Sequence, residues 1–351
     1  MNRFTTPLHI WYRKEHRDLP WRRTADPYLI WISETMLQQT RVAQGLPFYL
    51  RFVERFPDVK TLAGAPEDEL MKYWEGLGYY SRARNLHTAA KTISDLHHGK
   101  FPDSYEEIRK LKGVGDYTAA AVSSMAFGRP RAVVDGNVIR VLSRYFGIST
   151  PADSPKGKRE IQELAGTILP GENPGLHNQA VMELGALICT PKNPLCSVCP
   201  VREGCFALSS GQTAGLPVKT KTGKKTNRYF TFLVVHDERN ILIGKRTSRD
   251  IWMNLYQFPL IETPAPVSDE EILTHPLTAG FMMQQGARLV SISRVYRHTL
   301  THRRITARFV KISVTHLNES LPHFILVNTE EISKFAFPVL IRNYMIETTL
   351  L

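Results

Sequence analysis

Apolar positions in the first 208 residues recur at three- and four-residue intervals, and the breaks between these runs carry helix start and stop signals. Asp26 followed by Pro27 sets an N-cap ahead of a proline at the first helical position and opens a predicted helix over "YLIWISETMLQQTRV". Ser104 and Glu107 have capping-box spacing in front of "EIRKL". Val138, Val141, Leu142 and Tyr145 give "NVIRVLSRYF" one apolar face. No strand-like alternation of comparable length interrupts this part.

The texture then changes. "SSGQTAGLPVKTKTGKKTNR" is rich in Gly, Thr and Lys, which is linker composition. Beyond it "YFTFLVVHD", "ILIGKR", "LYQFPL" and "RITARFVKISV" are short β-branched and aromatic runs. The expected fold class is therefore multidomain, α plus α/β: an all-α domain over 1–208, a basic flexible linker over 209–228 and a smaller α/β or mainly β domain over 229–351.

A chain of 351 residues has room for two such cores. Its formal charge of +12, from 45 Lys and Arg against 33 Asp and Glu, favours a polyanionic partner, nucleic acid before an anionic membrane. No apolar run reaches the roughly 18 residues that span a bilayer, and the N-terminus lacks a signal-peptide layout. A cytoplasmic protein is expected.

All four cysteines, Cys189, Cys196, Cys199 and Cys205, fall in one C-x6-C-x2-C-x5-C segment. Such clustering in a long chain argues for metal rather than a disulfide framework. Four thiolates suit tetrahedral zinc or an iron–sulfur cluster; the single C-x2-C pair favours a [4Fe–4S] cluster bound by the loop 189–205. Lys192 and Arg202 in that loop could also meet a phosphate backbone.

In "LKGVGDYTAAA" the glycines Gly113 and Gly115 permit a tight hairpin between two helices. Its N–H groups, backed by the next helix N-terminus, would form a nest for a phosphate; an ordinary helix–helix turn is the plainer alternative. Further on, "VVDGNVIRVLSR" puts Asp135 where it is either a helix N-cap or a functional carboxylate.

Taken together, this hairpin, the downstream aspartate and the cysteine spacing resemble the helix-hairpin-helix DNA glycosylases of the endonuclease III superfamily. "WISETMLQQT", "GLGYYSRARNL", "VVDGNV" and "NQAVMELGALICT" are similar to the MutY-type adenine DNA glycosylases in particular. The resemblance implies that Glu34 protonates the departing adenine and that Asp135 stabilises the cationic sugar, with Tyr117 and Asn137 beside them. Read from sequence alone, Glu34 could equally be a surface residue pairing with Arg41.

Strand-cleaving members carry a lysine where this chain has Tyr117, so the resemblance implies a monofunctional enzyme that leaves an abasic site. It also implies that Gln38, Gln39 and Tyr79 contact or wedge the duplex beside the lesion, and that Trp21, Arg22, Leu37 and Glu183 line the adenine pocket.

The last third resembles, more loosely, the Nudix-like domain that reads 8-oxoguanine. It lacks the carboxylate cluster of a Nudix hydrolase, so pyrophosphate hydrolysis is not expected. Its reading tip is Leu300, Thr301 and His302, where the family usually has Phe-Ser-His. The expected partner is double-stranded DNA holding adenine opposite 8-oxoguanine, bound by a monomer associated with a bacterial nucleoid. Two rival readings are an endonuclease III-like glycosylase/lyase for oxidised pyrimidines and a catalytically silent lesion-binding protein.

Overall fold

Asp26 caps the helix Pro27–Leu37 as expected, its carboxylate accepting from the Tyr28 N–H. The helix ends at Leu37 rather than running on through Val42. Gln39 takes a left-handed φ of 58°, which breaks the ladder, and a new helix starts at Val42. Ser104 caps Tyr105–Lys110, its hydroxyl accepting from the Glu107 N–H.

The computed structural model describes residues 2–220, 225–317 and 322–350. Contacts divide the chain into two units, one made of 1–64 and 85–222 and the other of 65–84 and 223–351. The boundary anticipated after residue 208 thus has an addition upstream: the segment 65–84 packs with the C-terminal part. Helical periodicity carries no information about such a long-range partner.

Every regular element among the first unit's described residues is a helix. Val138, Val141, Leu142 and Tyr145 are buried against Phe4, Leu8 and Leu184, so the apolar face read from "NVIRVLSRYF" is a core face. The expected flexible linker is anchored over its first part: Val218 O accepts from the Ala152 N–H, and Asp153 accepts from the Thr220 N–H at 2.9 Å. Residues 221–224 of that linker lie outside the described residues, and 226–228 already belong to a strand.

The second unit is built on one mixed sheet, with β1 (Thr226–His236), β2 (Asn240–Lys245), β3 (Tyr256–Gln257), β4 (Leu260–Thr263), β5 (Arg288–Ile292), β6 (Tyr296–Thr299), β7 (Arg303–Ser313) and β8 (Ile325–Asn328). At its centre β1 and β7 run parallel, in register from Thr226↔Arg303 to His236↔Ser313. The other pairings are antiparallel. Leu233, Val235, Val310 and Ile312 bury one face under Ile272 and Phe281, while Phe309 stacks on Tyr344 of the helix Val339–Glu347 with ring centroids 3.9 Å apart. No helix among the described residues is long and apolar enough to cross a membrane.

Candidate active site

Glu34 lies on the buried helix Pro27–Leu37 and is itself only 7% exposed, so the surface pairing with Arg41 does not occur. The Tyr117 hydroxyl, from the first turn of the helix Asp116–Phe127, donates to Oε2 of Glu34. Burial pushes the Glu34 carboxyl up to about 7; the Tyr117 hydrogen bond opposes this and the charge of Asp135 adds to it. The group therefore keeps a substantial protonated fraction at neutral pH, as a general acid requires.

Asp135 is the helix N-cap that its sequence context allowed, and its carboxylate also lies within electrostatic reach of Tyr117 and Glu34. It opens the helix Gly136–Phe146, accepting from the N–H groups of Asn137 (2.8 Å) and Val138 (2.7 Å). Burial raises its pKa against these hydrogen bonds. A further donor is the Asn137 side-chain amide, 2.8 Å from Oδ2.

Behind Asn137 stands Arg140, which the sequence reading missed. Its guanidinium donates to Asn137 Oδ1 (2.8 Å), Gly185 O (2.7 Å) and Cys189 O (2.6 Å). The i,i+3 spacing of Asn137 and Arg140 on one helix is the signal that could have found it. A second omission is Arg17. Glu183, fully buried, accepts from Arg17 (2.6 Å) and from Arg22 (2.7 Å). Burial alone would raise this carboxyl, but the two guanidiniums overcome it and hold it at about 2.

The remaining residues are placed as follows. Trp21 is buried edge-on to Tyr49, with centroids 4.9 Å apart. Leu37 is half-buried and Gln39 exposed. The Gln38 amide donates to Thr118 Oγ1 at 3.1 Å, one residue from Tyr117. Tyr117 also lines an open cavity of about 520 Å³ with Asp116, Arg131, Ile139 and Lys158.

In the hairpin, Gly113 has φ +80°, and a Cβ there would sit 2.5 Å from Asn85. A Cβ at Gly115, the N-cap of Asp116–Phe127, would meet nothing within 4 Å, so the space on that side of the hairpin is open. In the second unit Tyr79, Thr301 and His302 are all exposed. The Tyr79 and Thr301 hydroxyls lie 3.1 Å apart, and Tyr79 adopts φ 51°.

All four cysteines line one cavity. Four thiol donors gathered at one cavity are the ligand set that an iron–sulfur cluster needs. The buried Arg144 guanidinium lies 3.4 Å from Cys189 Sγ and donates to Thr190 O at 2.8 Å, placing positive charge beside a thiolate ligand.

This arrangement places the chain among the base-excision DNA repair glycosylases. The HhH-GPD superfamily model matches residues 32–167, the iron-sulfur binding domain of endonuclease III matches 189–205, and a NUDIX domain matches 230–347. The adenine DNA glycosylase of Buchnera aphidicola subsp. Schizaphis graminum is 37% identical over 261 residues, covering 74% of this chain and 75% of that protein. The Homo sapiens adenine DNA glycosylase is 42% identical over 232 residues, covering 61% and 42%. A thermostable thymine-DNA glycosylase superposes with a TM-score of 0.55 at 32% identity, over 59% of this chain and 95% of that one. The chain belongs to the MutY-type adenine DNA glycosylases. It is an N-glycosyl hydrolase, and its loop 189–205 supplies the four ligands of a [4Fe–4S] cluster.

Proposed function

We propose that the enzyme removes adenine paired with 8-oxoguanine, and with guanine, from double-stranded DNA and leaves the sugar–phosphate backbone intact. The observation that carries this reading is the buried Glu34, poised at about 7 and hydrogen-bonded by a tyrosine where a lyase would need an amine. Once the adenine is out of the stack, Glu34 gives its proton to a ring nitrogen and the base departs as a neutral leaving group. Positive charge then develops on the sugar carbon. Asp135, oriented by three N–H donors, stabilises it until water adds to that carbon and gives up a proton to the Glu34 carboxylate, which restores the acid.

Arg17, Arg22 and Glu183 shape the base pocket; the open hairpin at Gly115 accepts a backbone phosphate; Thr301 and His302 read the opposing lesion. The cluster, when bound, fixes the cysteine loop and its cations against the DNA. The protein acts as a monomer on chromosomal DNA in a bacterial cytoplasm.

The test is single-turnover incubation with duplexes holding adenine opposite 8-oxoguanine, adenine opposite guanine, or thymine glycol, scored before and after alkali. Strand breaks only after alkali, and only with the adenine duplexes, are expected. Direct breakage at thymine glycol would favour the glycosylase/lyase reading, and binding without cleavage a silent lesion binder.

A further inference from the structure

The residues on either side of Tyr79 converge on one peptide far away in sequence. Glu75 ends the helix Glu67–Trp74, and Tyr80 follows the turn Gly76-Leu77-Gly78-Tyr79. The Phe337 N–H donates to Glu75 Oε1 at 2.8 Å, and the Tyr80 hydroxyl makes a longer bond of 3.5 Å to the Phe337 carbonyl. Both polar groups of one buried backbone unit are thus taken by the two ends of the turn. Phe337 is itself fully buried, so it is a rigid anchor.

The turn needs such an anchor. Gly76, Gly78 and Tyr79 have φ of 96°, 78° and 51°, and the last is costly for a residue with a Cβ. The Gly78 carbonyl accepts from the Trp74 indole at 3.1 Å and from Arg82 at 3.2 Å. Glu75 is buried with its second oxygen 2.6 Å from Lys72 Nζ, with Arg342 at 4.0 Å, so its charge is compensated where it sits. At the far end the Tyr79 hydroxyl meets Thr301 of the reading tip.

We propose that Glu75 is a positioning residue for lesion recognition: by clamping Phe337 it fixes the strained turn and so presents Tyr79 together with Thr301 as one preassembled reader. This rests on the reading of Tyr79 as the group that enters the duplex beside 8-oxoguanine. Pre-organisation of this kind improves affinity by sparing the cost of ordering the turn on binding.

The experiment uses the full chain and a duplex with a non-cleavable abasic analogue opposite 8-oxoguanine, a 2-aminopurine placed next to the lesion. Affinity and 2-aminopurine fluorescence are measured for Glu75→Ala, Tyr79→Ala and the double variant. Each single variant is expected to weaken binding about 10-fold and to lose the fluorescence change, and the double variant to bind no more weakly than Tyr79→Ala alone. Glu75→Gln, which keeps an acceptor oxygen for the Phe337 N–H, should retain most of the affinity.

Additive losses, or a wild-type fluorescence change in Glu75→Ala, would overturn the proposal while leaving the role of Tyr79 standing. A Tyr79→Ala variant indistinguishable from wild type would instead remove the reading on which it rests. Should Glu75→Ala fail to fold, the same cycle is run with Tyr80→Phe, which deletes the other hold on Phe337, and the same pattern decides.

Discussion

The Tyr117 hydroxyl and the Glu34 carboxyl, 83 positions apart in the chain, share a hydrogen bond inside a site that also feels the charge of Asp135. The bond favours the Glu34 anion, whereas burial favours its neutral form, and burial wins. Tyr117→Phe removes the opposing influence, so Glu34 should stay protonated to higher pH. The alkaline limb of the single-turnover rate profile is expected to move up by about one pH unit. A profile that stayed in place would dissociate the tyrosine from the acid.

Folding stability should carry the same signature with a defined sign. Glu34 has a folded pKa of about 7 against an ordinary value of 4.5, so the native state holds its proton more tightly than the unfolded chain does. Stability is full below the ordinary value and declines as pH rises to the folded one. Glu34→Gln cannot ionise, so it should exceed wild type by up to ~3 kcal/mol on the alkaline side of this window and lose that advantage on the acid side. Denaturant melts at the two extremes measure the difference, and the same variant should excise no adenine.

The two hairpin glycines should separate stability from binding. Gly113→Ala forces a Cβ against Asn85 in a left-handed backbone and is expected to cost about 1–3 kcal/mol in a thermal melt. Gly115→Ala meets no protein atom and should leave stability within about 0.5 kcal/mol. Its methyl would nonetheless stand where a phosphate approaches, so duplex affinity should fall several-fold at constant salt.

Arg140 spans from Asn137 Oδ1 to Cys189 O, so the amide that orients Asp135 is braced on the first cluster ligand's own carbonyl. Lysine carries its donors on a single nitrogen and cannot span the two acceptors that different guanidinium nitrogens reach. Arg140→Lys is expected to slow excision about 10- to 100-fold with duplex affinity little changed. Undiminished visible absorbance would show that the cluster is still in place, and an unchanged rate would deny the brace.

The elements were legible where local chemistry decides them. Asp26-Pro27, Ser104 and the apolar face of "NVIRVLSRYF" each announce themselves within a few residues. Asp135 was ambiguous in sequence because capping and an acid-site role ask for the same carboxylate at the same place; the structure shows the cap and puts the carboxylate within electrostatic reach of Glu34. What sequence could not reveal is distance: Arg17 acts on Glu183 across 166 positions and Glu75 on Phe337 across 262. The break at Gln38 was hidden for another reason. Nothing in "LQQT" disfavours helix as glycine or proline would, and the left-handed Gln39 is a tertiary result.

One junction has a bearing on how this enzyme can vary. The Thr226 N–H donates to the His302 carbonyl at 3.0 Å, and Lys225 reaches the Leu300 carbonyl at 3.1 Å. The backbone of the reading tip is therefore tethered by the residues that open β1. Changes at 225 and 226 that look like harmless drift at the edge of a connecting segment would retune the tip without touching Leu300, Thr301 or His302. On the role proposed for the tip, the connector's freedom to change is bounded by the loop that it tethers.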